Sequence, residues 1–200
     1  MTLRIERVSA HGHTLVRLIG RLQLECLAEI QAEIDASPCQ ALDLEEVTLV
    51  DVDPGRAGVA AALGVDFALP GDAIGGQDLV FHASATSTGL QLALALLAAD
   101  QTVVDVSWYG DQSVQLSLGG AFHSGRLGIR ASRVGDVAVA RRGRRTAAER
   151  LALALDLLQD PSFDALLTGA STFDELPDVM ARLSDGRLRA LCHTLTYDEG

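Results

Sequence analysis

His82, His123, His193 and Cys192 are the side chains best suited to metal ligation, proton transfer or nucleophilic attack. None of the histidines has a His, Cys or Asp partner at helical or hairpin ligand spacing, so structural roles are expected for them and no zinc site. Cys192 directly precedes His193 in a predicted strand, where successive side chains point to opposite faces. They cannot serve each other as nucleophile and base, and no catalytic residue is assigned. Asp51 and Asp53 end an apolar run and precede Pro54, an arrangement that caps a following helix. Arg141, Arg142, Arg144 and Arg145 form the dense basic cluster of the chain. They suit phosphate or an acidic partner, or a solvated loop paired with the protein's own carboxylates.

Composition bounds what those residues can belong to. The 200 residues are 48% hydrophobic and 22% charged, with 16 basic residues, all arginine, against 27 acidic ones and a net charge of −11. That is enough for a real core in one sizeable domain, or in a small domain joined to a medium one. No apolar run approaches the roughly 18 to 20 positions of a spanning helix, so no membrane is expected. The start, MTLRIERVSAHGH, alternates charged and apolar residues instead of showing a basic and then apolar leader, and a cytoplasmic location follows. Cys26, Cys39 and Cys192 are odd in number and lack C-x-x-C spacing, against both a disulfide framework and a zinc knuckle. The acidic balance opposes nucleic acid, because a phosphate backbone would meet net repulsion.

Strand and helix patterns alternate along the chain, the signature of an α/β fold with a largely parallel sheet. Leu3 to Val8 and Thr14 to Ile19 read as a hairpin, Leu22 to Ile34 as an amphipathic helix, and Ala41 to Val50 as a central strand. A short helix is predicted over Arg56 to Leu63. Asp78 to His82 and Thr102 to Ser107 read as strands around Thr88 to Ala98, a helix with almost no polar face that must be buried against a sheet. After a looser stretch beyond Gly110, a strand is expected near Leu127 to Ala131 and a strong helix over Thr146 to Leu158, with Leu151, Leu155 and Leu158 on one face. Ala165 to Thr168, Glu175 to Leu183 and Ala190 to Tyr197 then read as strand, helix, strand. In such a sheet the strand ends at Ala83 and Ser84, at Ser107 and Trp108, and at Ser132 and Arg133 line the crevice outside the carboxyl ends.

From Asp51 onward the chain resembles the second half of the nucleotide-binding domain of medium-chain dehydrogenases/reductases, the zinc alcohol dehydrogenase family. The resemblance is carried by VTLVDVDPGRAGVAAALGVD, DLVFHASATSTGLQLALALLAADQTVVDVSWYG and LGGAFHSGRLGIRASRVG, then by RLALALDLLQDPSFDALLTGASTFDELPDVMARL. It implies NAD or NADP as cofactor. Asp51 stands where that family's acidic residue accepts hydrogen bonds from the adenine ribose, which favours NAD, and Arg56 where it often has a basic residue near the same ribose. The strand ends at 83–84, 107–108 and 132–133 fall where the family holds nicotinamide and its ribose. Two departures stand against this. The family's zinc-bearing catalytic domain has no counterpart in this sequence, and the glycine-rich turn is reduced to Gly20, followed by Arg21, with Leu22 and Glu25 at the other two glycine positions. A Cβ there obstructs pyrophosphate and a carboxylate repels it, although Arg21 offsets part of that charge.

From Met1 to about Asp53 the chain resembles instead a STAS domain, the fold of anti-sigma factor antagonists, through RIERVSAHGHTLVRLIGRLQLECLAEIQAEI and ALDLEEVTLVDVD. This implies a regulatory protein partner. The Ser or Thr that such domains offer to a kinase is missing, since Val52, Asp53, Pro54, Gly55 and Arg56 follow the strand. The expected architecture is therefore a Rossmann-like, mostly parallel sheet flanked by helices, with a STAS-like ββαβ segment over 1–53 and a partial dehydrogenase segment over 47–200, in one continuous sheet. The expected function is a residual NAD(P)-binding domain without dehydrogenase activity of its own. The alternatives are a STAS-like interaction module, or a natural or assembled chimera with no physiological ligand. An exposed sheet edge would allow a homodimer.

Overall fold

The computed structural model describes residues 4–10, 13–19, 41–44, 47–132, 135–137, 142–143 and 146–197. The helix expected at Leu22 to Ile34, together with Gly20, Arg21, Cys26, Cys39, Arg133, Arg141, Arg144 and Arg145, lies outside them.

The described strands form an α/β structure with mainly parallel ladders flanked by helices. β1 (Arg4–Ala10) and β2 (His13–Ile19) make the expected antiparallel hairpin, with Arg4 opposite Ile19 and Ala10 opposite His13. The strand expected over Ala41 to Val50 is two. β3 (Ala41–Leu44) runs parallel to β2, whereas β4 (Thr48–Val50) pairs with β5 (Asp66–Ala68), a strand too short to be read from the sequence. Between β4 and β5 lie a 3-10 turn, Pro54–Arg56, and α1 (Ala57–Ala62), which buries Ala60. Among the described residues the ladders group into four sheets. β2 is the central strand of its sheet, between β1 and β3.

The main core lies in the following unit: β6 (Val80–His82), α2 (Ser87–Leu96), β7 (Thr102–Asp105) and β8 (Gly128–Ala131), whose strands run parallel in the order β6-β7-β8. Thr86 starts α2 by accepting the Gly89 amide at 3.0 Å through its hydroxyl. The apolar spacing then places Leu90, Ala93, Leu94 and Leu97 against the fully buried Val103 of the central strand. Burial of this helix against a sheet is as the sequence led one to expect. Val80, Tyr109, Val114, Leu116, Phe122 and Leu127 complete the cluster. Residues beyond Gly110, where the sequence pattern loosens, follow α2 through bonds from the Gln115 amide to Ser87 Oγ and from the Ser117 amide to Gln91 Oε1. They lead to the single-turn α3 (Ala121–Ser124).

The strong helix is α4 (Ala147–Leu157). It begins with a capping box in which Thr146 Oγ1 accepts the Glu149 amide and Glu149 Oε2 accepts the Thr146 amide. Leu151, Leu155 and Leu158 lie along it but are more than half exposed. A 3-10 turn, Pro161–Leu166, delays β9 to Leu167–Thr172, two residues after the expected start, because Asp160 caps the turn at the Ser162 amide. α5 (Leu176–Ser184) then leads to β10 (Cys192–Thr196), parallel to β9. Among the described residues no helix is long and apolar enough to cross a membrane.

Candidate functional site: the carboxyl edge of β6, β7 and β8

Register determines which side chains meet at this edge. In the β6–β7 ladder His82 lies opposite Asp105, and in the β7–β8 ladder Asp105 lies opposite Ala131, so three strands end at one level. The backbone carries the pairing slightly further, the Val106 amide donating to His82 O at 2.9 Å and the Ser132 amide to Asp105 O at 2.8 Å. This edge brings together Ala83, Ser84, Ser107, Trp108 and Ser132. Ala83, Ser84, Trp108 and Ser132 are exposed there, Trp108 by 87%, and Ser107 is half-buried.

Behind the exposed strand ends is a buried polar cluster that the sequence reading did not find. His82, only 4% exposed, has its Nδ1 3.0 Å from Asp105 Oδ1 and its Nε2 2.8 Å from Ser84 Oγ. His82 has no Asp at helical or hairpin spacing, as the chain reads, but it does have an Asp partner. The partner lies 23 residues away in sequence and directly opposite in the ladder. With the Nδ1 proton donated to Asp105, the Nε2 lone pair accepts the Ser84 hydroxyl. Asp105 Oδ1 also accepts the Ser107 amide at 3.0 Å, and Oδ2 accepts the Tyr109 hydroxyl at 2.9 Å. Burial raises the Asp105 carboxyl pKa, but the hydrogen bonds from the Ser107 amide, His82, Tyr109 and the Ser107 hydroxyl together outweigh it, leaving a net value below the usual aspartate range. Burial, and then the bond and charge of Asp105, push the Tyr109 hydroxyl the other way, so it stays a donor.

The turn that presents Ser84 is sharp. Ala85 adopts φ 52°, a left-handed conformation that alanine rarely occupies, and its amide donates to Ser107 Oγ at 3.2 Å. Ser84 Oγ lies 3.0 Å from Thr86 Oγ1, which links the cluster to the cap of α2. Gly89 is required one turn into that helix. A Cβ there would overlap Ser84 Oγ and come within 2.9 Å of Thr86 Oγ1 and 3.0 Å of His82 Nε2.

Asp51 follows β4, in a different sheet from β6–β8, and Arg56 ends the 3-10 turn after it. Asp51 Oδ1 accepts the Asp53 amide at 2.8 Å, and Asp53 Oδ1 accepts the Gly55 amide at 2.9 Å, so Asp53 is the cap expected beside Pro54. Arg56 lies 3.8 Å from Asp53. His193 Nε2 pairs with Ser171 Oγ at 3.0 Å, and exposed Cys192 lies beside it in the same strand, as expected without a mutual bond. Among the described residues no group of three or more His, Cys, Asp or Glu could hold a metal.

No known family model and no curated protein matches this sequence. Solved structures do resemble it. L-idonate 5-dehydrogenase from Escherichia coli superposes with a TM-score of 0.59 at 18% identity over 76% of this chain and 43% of its own. Benzyl alcohol dehydrogenase from Acinetobacter calcoaceticus gives 0.59 at 17% over 77% and 43%. A Salmonella enterica oxidoreductase solved in complex with NADP gives 0.53 at 14% over 72% and 45%. The chain thus spans under half the length of these enzymes. The likenesses do not support the STAS-like reading of residues 1–53, and at such identity they establish one thing: this chain has the Rossmann-like fold found in alcohol dehydrogenase-type proteins.

Proposed function

We propose that the chain is a nucleotide-binding domain that takes NAD or NADP at the carboxyl edge of its parallel ladders and has no dehydrogenase activity of its own. The observation that carries this reading is the convergence of Ala83, Ser84, Ser107, Trp108 and Ser132 at one edge of three parallel strands, where open α/β sheets bind their ligands. Small, exposed residues at 83 and 84 fit close approach by a ribose or nicotinamide. Asp51 uses one carboxylate oxygen on the Asp53 amide, leaving the other for a ribose hydroxyl. The cofactor would supply hydride chemistry, for which the described residues offer no metal site to polarise a substrate. The likeness to an NADP complex supports the cofactor class.

Calorimetric titration tests this. NAD is expected to give saturable heat, and Asp51→Ala to weaken binding about tenfold, the loss of roughly one charge-assisted hydrogen bond at about 1.4 kcal/mol. Silence with both NAD and NADP up to millimolar concentration would overturn the reading.

A further inference from the structure

We propose that Ser84, His82 and Asp105 form an activated-serine site for acyl transfer, with small carboxylic esters as substrates. Three observations carry it. The hydrogen bonds run in one chain, from Ser84 Oγ to His82 Nε2 at 2.8 Å and from His82 Nδ1 to Asp105 Oδ1 at 3.0 Å. Each member also has the exposure its role requires, with Asp105 and His82 buried and Ser84 at the surface. Finally, Ser84 sits exposed on a tight strand-to-helix turn strained at Ala85, its hydroxyl close against Gly89 and 3.0 Å from Thr86 Oγ1.

The roles follow from the bonds. Asp105 is a positioning residue: it fixes the imidazole tautomer so that Nε2 has a lone pair facing Ser84, and the Ser107 amide and Tyr109 hydroxyl hold it ionised. Ser84 Oγ attacks the ester carbonyl carbon while its proton moves to His82 Nε2. The carbon–oxygen bond to the leaving alcohol then breaks, and that oxygen takes the proton from Nε2, leaving an acyl-serine. Water attacks the acyl carbon, passing a proton to Nε2. His82 returns it to Ser84 Oγ as the carboxylic acid departs. Atoms and charge balance with ester and water as the reactants. α2 begins three residues beyond Ser84, and the Ser87 and Thr88 N–H groups of its first turn, outside the helical ladder, favour the negative charge that develops on the carbonyl oxygen.

This inference goes beyond the dinucleotide reading and needs no cofactor. The whole chain, without nucleotide, is treated with a fluorophosphonate, and the adduct is located by peptide mass mapping. One adduct per chain is expected on Ser84, with a matching stoichiometric burst from p-nitrophenyl acetate, and neither in Ser84→Ala. Gly89→Ala tests the geometry, because the new Cβ displaces Ser84 Oγ, with circular dichroism checking that the fold is kept. It is expected to slow labelling about 100-fold, the usual lower range for losing a positioned base. An unlabelled protein, an adduct on another serine, or equal labelling rates for Gly89→Ala and the parent would each overturn the proposal. The mapping on the unaltered chain decides the matter even if the variant does not fold.

Discussion

Asp105→Ala is expected to lower the free energy of unfolding by about 3 kcal/mol, the usual cost of removing one partner from a buried charged network. The loss comes less from the carboxylate than from what it leaves behind. His82 Nδ1, the Ser107 amide and the Tyr109 hydroxyl all point at this carboxylate, and alanine offers none of them an acceptor. Urea unfolding measures it as a fall in midpoint at constant slope. A loss below about 1 kcal/mol would mean that water reaches and satisfies the cluster. The same carboxylate sets an acid dependence. Its folded-state pKa lies below its unfolded value of about 3.9, so its contribution is complete above that value and is lost as pH falls through the lower, folded one. The stability gap between parent and Asp105→Asn should accordingly narrow on acidification below about pH 4.

Leu94→Ala should cost a comparable amount for a different reason. Leu94 is 3% exposed and packs in the cluster around Val103, so truncation removes apolar contact and leaves a cavity between α2 and the sheet. Leucine-to-alanine changes at such sites cost about 2.7 to 5 kcal/mol, a large share of a total stability of roughly 5 to 15. Leu151→Ala provides the contrast. That side chain is 61% exposed, so its truncation should shift the urea midpoint little.

The parts of this fold legible in the sequence are those controlled by local pattern. The hairpin, the helix at Ser87–Leu96 and the strands on either side follow from alternation and from leucines three and four apart, and burial of that helix was implied by its lack of a polar face. The ends of α4 were equally readable, because Thr146 and Asp160 announce a start and a stop. What escaped depended on pairing. The division of Ala41 to Val50 between two sheets is a matter of which neighbour each half finds, and β5 is too brief to carry a period. The strand ends near Ser84 and Ser107 were placed correctly at one edge, but the His82 cluster was missed for the same reason as the split strand. A search for ligand partners along the chain cannot see a residue brought opposite by register. Part of the signal was present: His82 ends the strand predicted over Asp78 to His82, and Asp105 lies within the one predicted over Thr102 to Ser107, so parallel pairing of the two can bring them side by side.

The four separate sheets bear on how the protein gains and loses structure. Paired residues lie 18 apart in the β4–β5 ladder (Thr48 with Asp66), 23 in β6–β7 (Val80 with Val103), 26 in β7–β8 (Thr102 with Gly128) and 24 in β9–β10 (Gly169 with His193). Each closes over a short loop, which costs little chain entropy and favours rapid formation. No continuous run of hydrogen bonds links one sheet to the next among the described residues. Opening can therefore proceed in blocks. Amide hydrogen exchange should sort the chain accordingly, with the β7 amides beneath α2 protected longest and those of β4 and β5 released earlier, each block with its own opening free energy.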